Sequence, residues 1–197
     1  MNKSIIIKYF FSNEIAPLIP ELARLRITVF RDFPYLYDGN LEYEENYLKV
    51  YTQSNESILV AAFDGDRVIG AATALPLKDE ADYVIEPFKR AQLNINEIYY
   101  FGESVLLKEY RGLGLGHAFF DGRELAARKY HYQIATFCAV NRPDNHLHRP
   151  VNYQPLDEFW KKRGFLKNEH LTAQFSWQDI DEKEETSKTM TYWMKKL

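Results

Sequence analysis

EIYYFGESVLLKEYRGLGLG, residues 97–116, joins a run of apolar and aromatic residues to three closely spaced glycines. Ile98, Tyr99, Tyr100, Phe101, Val105, Leu106 and Leu107 have the composition of a buried strand, which the spacing predicts over Glu97 to Leu107. From Leu115 to Lys129 the small or apolar residues Leu115, Ala118, Phe119, Gly122, Leu125 and Ala126 recur at the helical period, and Ile134 to Val140 is again strand-like. The unit is strand, glycine loop, helix, strand. Glycines in that position leave backbone N–H groups open to an anion, and the first turn of the helix adds free amides and the positive end of its dipole. Arg111 adds a charge at the mouth. On spacing alone two readings stay open, a phosphate cradle and a plain turn.

Two common nucleotide patterns fail against this loop. A Walker-type loop started at Gly112 meets His117 where its second glycine belongs, and no Lys-Ser or Lys-Thr follows. A dinucleotide fingerprint fits Gly112 and Gly114 but meets His117 again, and the unit lies mid-chain behind a hairpin.

Upstream, Ser4 to Phe11 reads as a strand and Ile15 to Val29 as a helix. Leu41 to Tyr51 reads as a second helix after the breakers Pro34 and Asp38-Gly39-Asn40. Ile58–Phe63 and Val68–Leu75 form a hairpin through Asp64-Gly65-Asp66-Arg67. Lys78 to Asn94 holds one or two short helical pieces. Downstream, Asn141 to Tyr153 is an ordered loop, and Leu156 to Arg163 a short helix stopped by Gly164. Phe165–Trp177 and Thr189–Leu197 close the chain as strands around the acidic turn Asp179 to Glu185.

The chain of 197 residues is the size of one domain, residues 1–197. A hydrophobic fraction of 46% excludes a disordered chain, and a net charge of -3 gives no basic field for nucleic acid or anionic lipid. No apolar run reaches the roughly 18 residues of a membrane span, and residues 1–8 lack a signal-type core. The single cysteine, Cys138, fits a reducing compartment, so the sequence leads to the expectation of a cytoplasmic protein.

Arg-x-x-Gly-x-Gly, formed by Arg111, Gly114 and Gly116 with Val105 six residues before the arginine, resembles the pyrophosphate loop of the GNAT superfamily of acetyl-CoA-dependent N-acetyltransferases. Leu25-Arg26-Ile27-Thr28-Val29-Phe30 is similar to the Leu-Arg-x-x-Val-Phe of many first helices in that family, and Phe159-Trp160-Lys161-Lys162-Arg163-Gly164-Phe165 to its Phe-Tyr-x-x-x-Gly-Phe segment. The resemblance covers nearly the whole chain. It implies a single α+β domain in three layers, with a mixed, mostly antiparallel twisted sheet splayed at its two central strands and helices on both faces. It also implies acetyl-CoA as co-substrate and no metal. Val105 and Leu107 would offer backbone groups to the thioester end, and Arg111, Gly112, Leu113, Gly114, Leu115, Gly116 and His117 would cradle the pyrophosphate.

The activity implied is direct acetyl transfer to a primary amine of a small molecule or peptide, without a covalent enzyme intermediate. Glu103, two residues before Val105 on the same strand face, is the candidate base; the alternative is a carboxylate that orients substrate or pairs with Arg26 or Arg31. Many members of the family use a tyrosine as acid where this chain has Trp160, whose indole is no proton donor of suitable acidity, and Tyr153 is the substitute candidate. Cys138 has no His or Asn pattern to make it a nucleophile. His146 and His148 with Asp144 read as a lid beside the acceptor more readily than as a metal site. Asp32, Asp38, Glu42, Glu44 and Glu45 either attract a cationic amine or solvate a helix face. Phe30, Phe33, Tyr35 and Tyr37 could wall an acceptor pocket. A homodimer is expected from family habit, with Thr189–Leu197 as an edge strand needing cover. Two other functions stay open: an acetyl-CoA sensor without turnover, and an acyltransferase with a different donor or an oxygen acceptor.

Overall fold

The protein is described here by a computed structural model over residues 5–197. Strand β1 (Ile5–Phe11) leads through a 3-10 turn into α1 (Ile19–Phe30). Pro20 lies in the first turn of α1, where its missing N–H is no loss because those amides have no intrahelical acceptor. Two short helices follow, α2 (Leu41–Tyr47) and α3 (Val50–Gln53), and the Asn40 side chain caps α2 by accepting from the Tyr43 amide at 3.1 Å. The hairpin is β2 (Ile58–Asp64) and β3 (Arg67–Pro76), turned at Gly65 with φ +61°. Next come α4 (Asp82–Arg90), β4 (Ile98–Leu106), α5 (Leu115–Lys129) and β5 (Ile134–Val140). The chain closes with α6 (Asp157–Lys162), β6 (Leu166–Trp177) and β7 (Thr186–Lys196). Ser4, the first residue of the expected opening strand, lies outside the described residues. The expected helix over Leu41–Tyr51 is broken into α2 and α3 by the turn at Leu48 and Lys49.

Among the described residues seven strands form one sheet in the order β1-β2-β3-β4-β5-β7-β6, and only β4 and β5 run parallel. Helices cover both faces. On one, Phe120 of α5 and Trp160 of α6 pack with Phe101, Phe137, Phe165 and Trp193 in a continuous aromatic cluster. On the other, α1 lies against β3 and β4, and α4 lies over β6, with the Tyr192 hydroxyl of β7 donating to the Val84 carbonyl at 2.9 Å. Tyr192 and Trp193 are consecutive, so β-strand alternation sends one to each layer. Truncating a core ring such as Phe101 or Phe165 to alanine would cost about 3–5 kcal/mol.

The C-terminal strand is not an edge. β7 lies between β5 and β6, and the sheet ends at β1 and β6. Thr189–Leu197 therefore offers no open edge to a second copy, because the β7 backbone is paired on both sides. Among the described residues no helix is long and apolar enough to cross a membrane.

Candidate functional site

β4 and β5 pair over only three residues each, Ile98 to Tyr100 against Ile134 to Thr136. Beyond them β4 stays with β3 as far as Leu106 and β5 stays with β7 as far as Val140, so the sheet opens between its two central strands. The Leu107 amide donates to the Ile69 carbonyl at 3.0 Å, and Val105 faces Ala71 in the same ladder. Alternation along an antiparallel pair commits the backbone groups of Val105 and the amide of Leu107 to β3 and turns those of Ser104 and Leu106 into the opening. The backbone groups that face the opening are thus those of Ser104 and Leu106, not those expected of Val105 and Leu107. The Arg111 side chain reaches back and donates from Nε to the Leu106 carbonyl at 3.3 Å.

The glycine loop follows directly. Gly112 and Gly114 have φ of +79° and +80°, a conformation that side chains with a Cβ rarely adopt. Among the described residues the amides of Gly112, Leu113, Gly114, Leu115 and Gly116 meet no acceptor, whereas those of His117 and Ala118 close onto the Gly114 carbonyl. The loop therefore presents consecutive N–H groups at the N-terminus of the fifteen-residue α5. Leu113 and His117 are exposed, His117 with its ring 5.0 Å from that of Phe159, and the Leu115 side chain is buried. Arg111 is half-exposed and lies 3.8 Å from Asp32.

Glu103 stands where β4 carries one residue too many. Phe101 pairs with Ala74 and Ser104 with Ala72, so Gly102 and Glu103 together oppose Thr73, whose Oγ1 accepts from the Glu103 amide at 2.9 Å. The bulge explains why Phe101 faces α5 while Glu103 faces α1. A Cβ at Gly102 would fall 1.9 Å from the Tyr51 hydroxyl oxygen, so only glycine lets α3 close on this bulge. The Glu103 carboxylate is buried and pairs with Arg26, which also pairs with buried Glu44 and lies over the rings of Phe30 and Tyr47. Tyr47 hydrogen-bonds to Glu103 as well. Burial raises the Glu103 pKa above the ordinary carboxylate value, and the opposing pull of Arg26 is shared with Glu44. Arg26, conversely, is disfavoured by burial but held firmly charged by its two carboxylates.

Other expected residues fall as follows. Tyr153 packs edge-on against Phe33 at 4.7 Å, beneath Arg149, and burial raises its pKa. Trp160 is wedged between Phe137 and Trp193. Cys138 lies 3.2 Å from the Tyr100 hydroxyl, and burial pushes its thiol up to about 12, which leaves no thiolate at neutral pH. His148 binds Asp181 at 2.7 Å, Asp144 pairs with Arg149, and among the described residues no His, Cys, Asp or Glu group could hold a metal. The acidic cluster is largely spoken for: Glu44 by Arg26, Asp38 by Arg31 at 2.8 Å and Asp32 by Arg111.

Two residues of this region had no part in the expectations. Arg123 of α5 is buried behind β4, donates to the Glu103 carbonyl at 3.3 Å and lies over Phe101 and Phe120. Its place four residues after Phe119 and three before Ala126 puts it on the buried stripe, a phase visible in the sequence. Glu80, between β3 and α4, is buried with no comparable signal.

A mixed sheet opened between its parallel central strands, with a glycine loop and helix rising from the first of them, is the fold of the GNAT acetyltransferases. Solved structures that match nearly end to end include a ribosomal-protein-alanine N-acetyltransferase from Brucella melitensis, at TM-score 0.63 and 12% identity over 98% of this chain and 99% of that one. An acetyltransferase from Streptococcus agalactiae 2603 matches at 0.59 and 14% over the whole of both chains. A GNAT-family acetyltransferase from Staphylococcus aureus Mu50 matches at 0.57 and 11%, over 98% of this chain and 99% of that one. No protein-family model and no curated protein sequence matches the chain.

Proposed function

We propose that the protein is an acyltransferase that moves an acetyl group from acetyl-CoA directly to a primary amine of a small molecule or peptide. The observation that carries this reading is the continuity of the Gly112–Gly116 amides with the opening between β4 and β5. Consecutive free amides at a helix N-terminus suit a pyrophosphate, and the gap-facing backbone of Ser104 and Leu106 suits an extended arm that carries its own amides. The residues present therefore fit acetyl-CoA, which supplies the activated acyl thioester when bound. The gap-facing amides of Ser104 and Leu106 are the backbone donors for negative charge on an acyl oxygen. Glu103, desolvated and in competition with Glu44 for one guanidinium, accepts the proton of the attacking amine.

One observation favours a second reading. Trp160 stands at the position of the family's tyrosine acid and is packed into the aromatic cluster, so the chain could bind acetyl-CoA as a sensor without turnover. Thiol release from acetyl-CoA by the full chain, across primary amines and with acetyl-CoA binding measured in parallel, separates the two. Amine-dependent release supports the transferase; binding with no release from any amine supports the sensor.

A further inference from the structure

A cavity of about 260 Å³ opens between α2 and the start of α4, away from the glycine loop. Glu80 lines it. The residue is only 8% exposed; Oε2 accepts from the Ala81 amide at 3.2 Å, and buried Oε1 has no hydrogen-bond partner among the described residues. A buried carboxylate oxygen without a donor is costly, so the position calls for one from outside the chain. The walls are aromatic. Tyr43 and Tyr83 stand at the mouth, 56% and 45% exposed, and Tyr47 forms the inner side while its hydroxyl bonds to Glu103. Asn46, which also lines the cavity, accepts from Lys49 at 2.8 Å. A larger depression of about 630 Å³ beside β7 lacks this character, because its Arg142 and Lys188 are already paired with Asp179.

We propose that this cavity binds an alkylammonium group, with Glu80 as its anion and the rings of Tyr43, Tyr47 and Tyr83 as its walls. A carboxylate at the bottom of an aromatic recess, with no cation among the described residues paired to it, is the chemistry that recognises an ammonium rather than an anion or a neutral chain. The inference deepens the transferase reading and rests on it only for the use of the site. Tyr47 lines the cavity and neighbours Glu103, so an acceptor held at Glu80 by one ammonium would carry a second amine for the transfer. The amine to be acetylated must be neutral, and Glu80 would hold the other one.

Protonation gives a distinctive readout. Burial, the largest influence, holds Glu80 at about 7, with Glu103 and Asp79 raising it and the Ala81 amide and Arg26 lowering it. The remaining titratable neighbours, the phenols of Tyr47, Tyr51, Tyr83, Tyr100 and Tyr192 and the thiol of Cys138, are all raised by burial and neutral at pH 7. A bound cation should therefore ionise Glu80 and release about half a proton at pH 7.

The test is calorimetric titration of the full chain at pH 7 with butylammonium, 1,4-diaminobutane and neutral 1-butanol, in buffers of different ionisation enthalpy. Both cations are expected to bind and 1-butanol not to, with proton release in wild type. Glu80→Gln should weaken the cations at least tenfold and abolish the release, and Tyr83→Leu should weaken them several-fold should the Gln variant fail to fold. Equal cation affinity in wild type and Glu80→Gln, or no binding to wild type at millimolar concentration, would overturn the proposal. Acetyl-CoA binding, measured on the same samples, keeps the two readings apart: if it persists while the cations fail, only the ammonium site is lost.

Discussion

Glu80→Gln should stabilise the protein at neutral and alkaline pH, even though it removes a charge. The folded state holds this carboxyl at about 7 against an ordinary 4.5, so between those values it binds a proton that the unfolded chain has released. Stability from that proton is fully present below pH 4.5 and is lost as pH rises through 7. At roughly 1.4 kcal/mol per pH unit the loss amounts to about 3 kcal/mol, and burial of the residue leaves little solvent screening to reduce it. Glutamine has the shape of the protonated acid and does not titrate. Urea unfolding of both proteins from pH 4.5 to 8.5 should therefore show curves that diverge by about 3 kcal/mol in favour of the variant, with a Tm difference of roughly 6–12 °C at the upper end for a chain of this length. Parallel curves would refute the reasoning, because they would mean that Glu80 is ionised or solvated throughout.

Arg26→Met should cost about 3–5 kcal/mol in urea unfolding at pH 7, since it leaves Glu44 and Glu103 buried without a counter-charge, and the loss should shrink at pH 5 as Glu103, already raised by burial, takes up a proton. Glu103→Gln should lower kcat by about 10²-fold or more with acetyl-CoA affinity unchanged, and the wild-type rate should fall as pH drops through the raised Glu103 pKa. A variant with the wild-type pH profile would remove Glu103 from proton transfer. Gly114→Ala should lose about 1–2 kcal/mol of stability, because its φ of +80° is strained for alanine, and should weaken acetyl-CoA binding in a titration.

The parts of the fold set by local pattern were legible in the sequence. The helical phase of Leu115–Lys129, the apolar run Ile134–Val140 and the Asp64-Gly65 turn appear in the structure at or within a residue of their expected bounds. The parts set by two segments at once were not. The β4 bulge exists only relative to Thr73 on β3, so nothing in residues 101–104 alone announces that Ser104 and Leu106, rather than Val105 and Leu107, turn their backbone to the opening. Glu44 looks like one more charge on an acidic helix until α1 brings Arg26 over it. The edge role expected of the last strand failed for the same reason, since the return of β7 between β5 and β6 is a matter of sheet order and not of composition. Glu80 lies in a mixed, charged segment whose burial comes from the packing of α2 and α4 around it.

Thermal unfolding with and without acetyl-CoA reads out whether the glycine loop and the strand opening together hold that ligand. At a hundred times its Kd the ligand adds about 2.7 kcal/mol, which should raise the Tm by roughly 5–11 °C, with NADH and ATP giving no comparable rise. An unchanged Tm at millimolar acetyl-CoA would contradict the account.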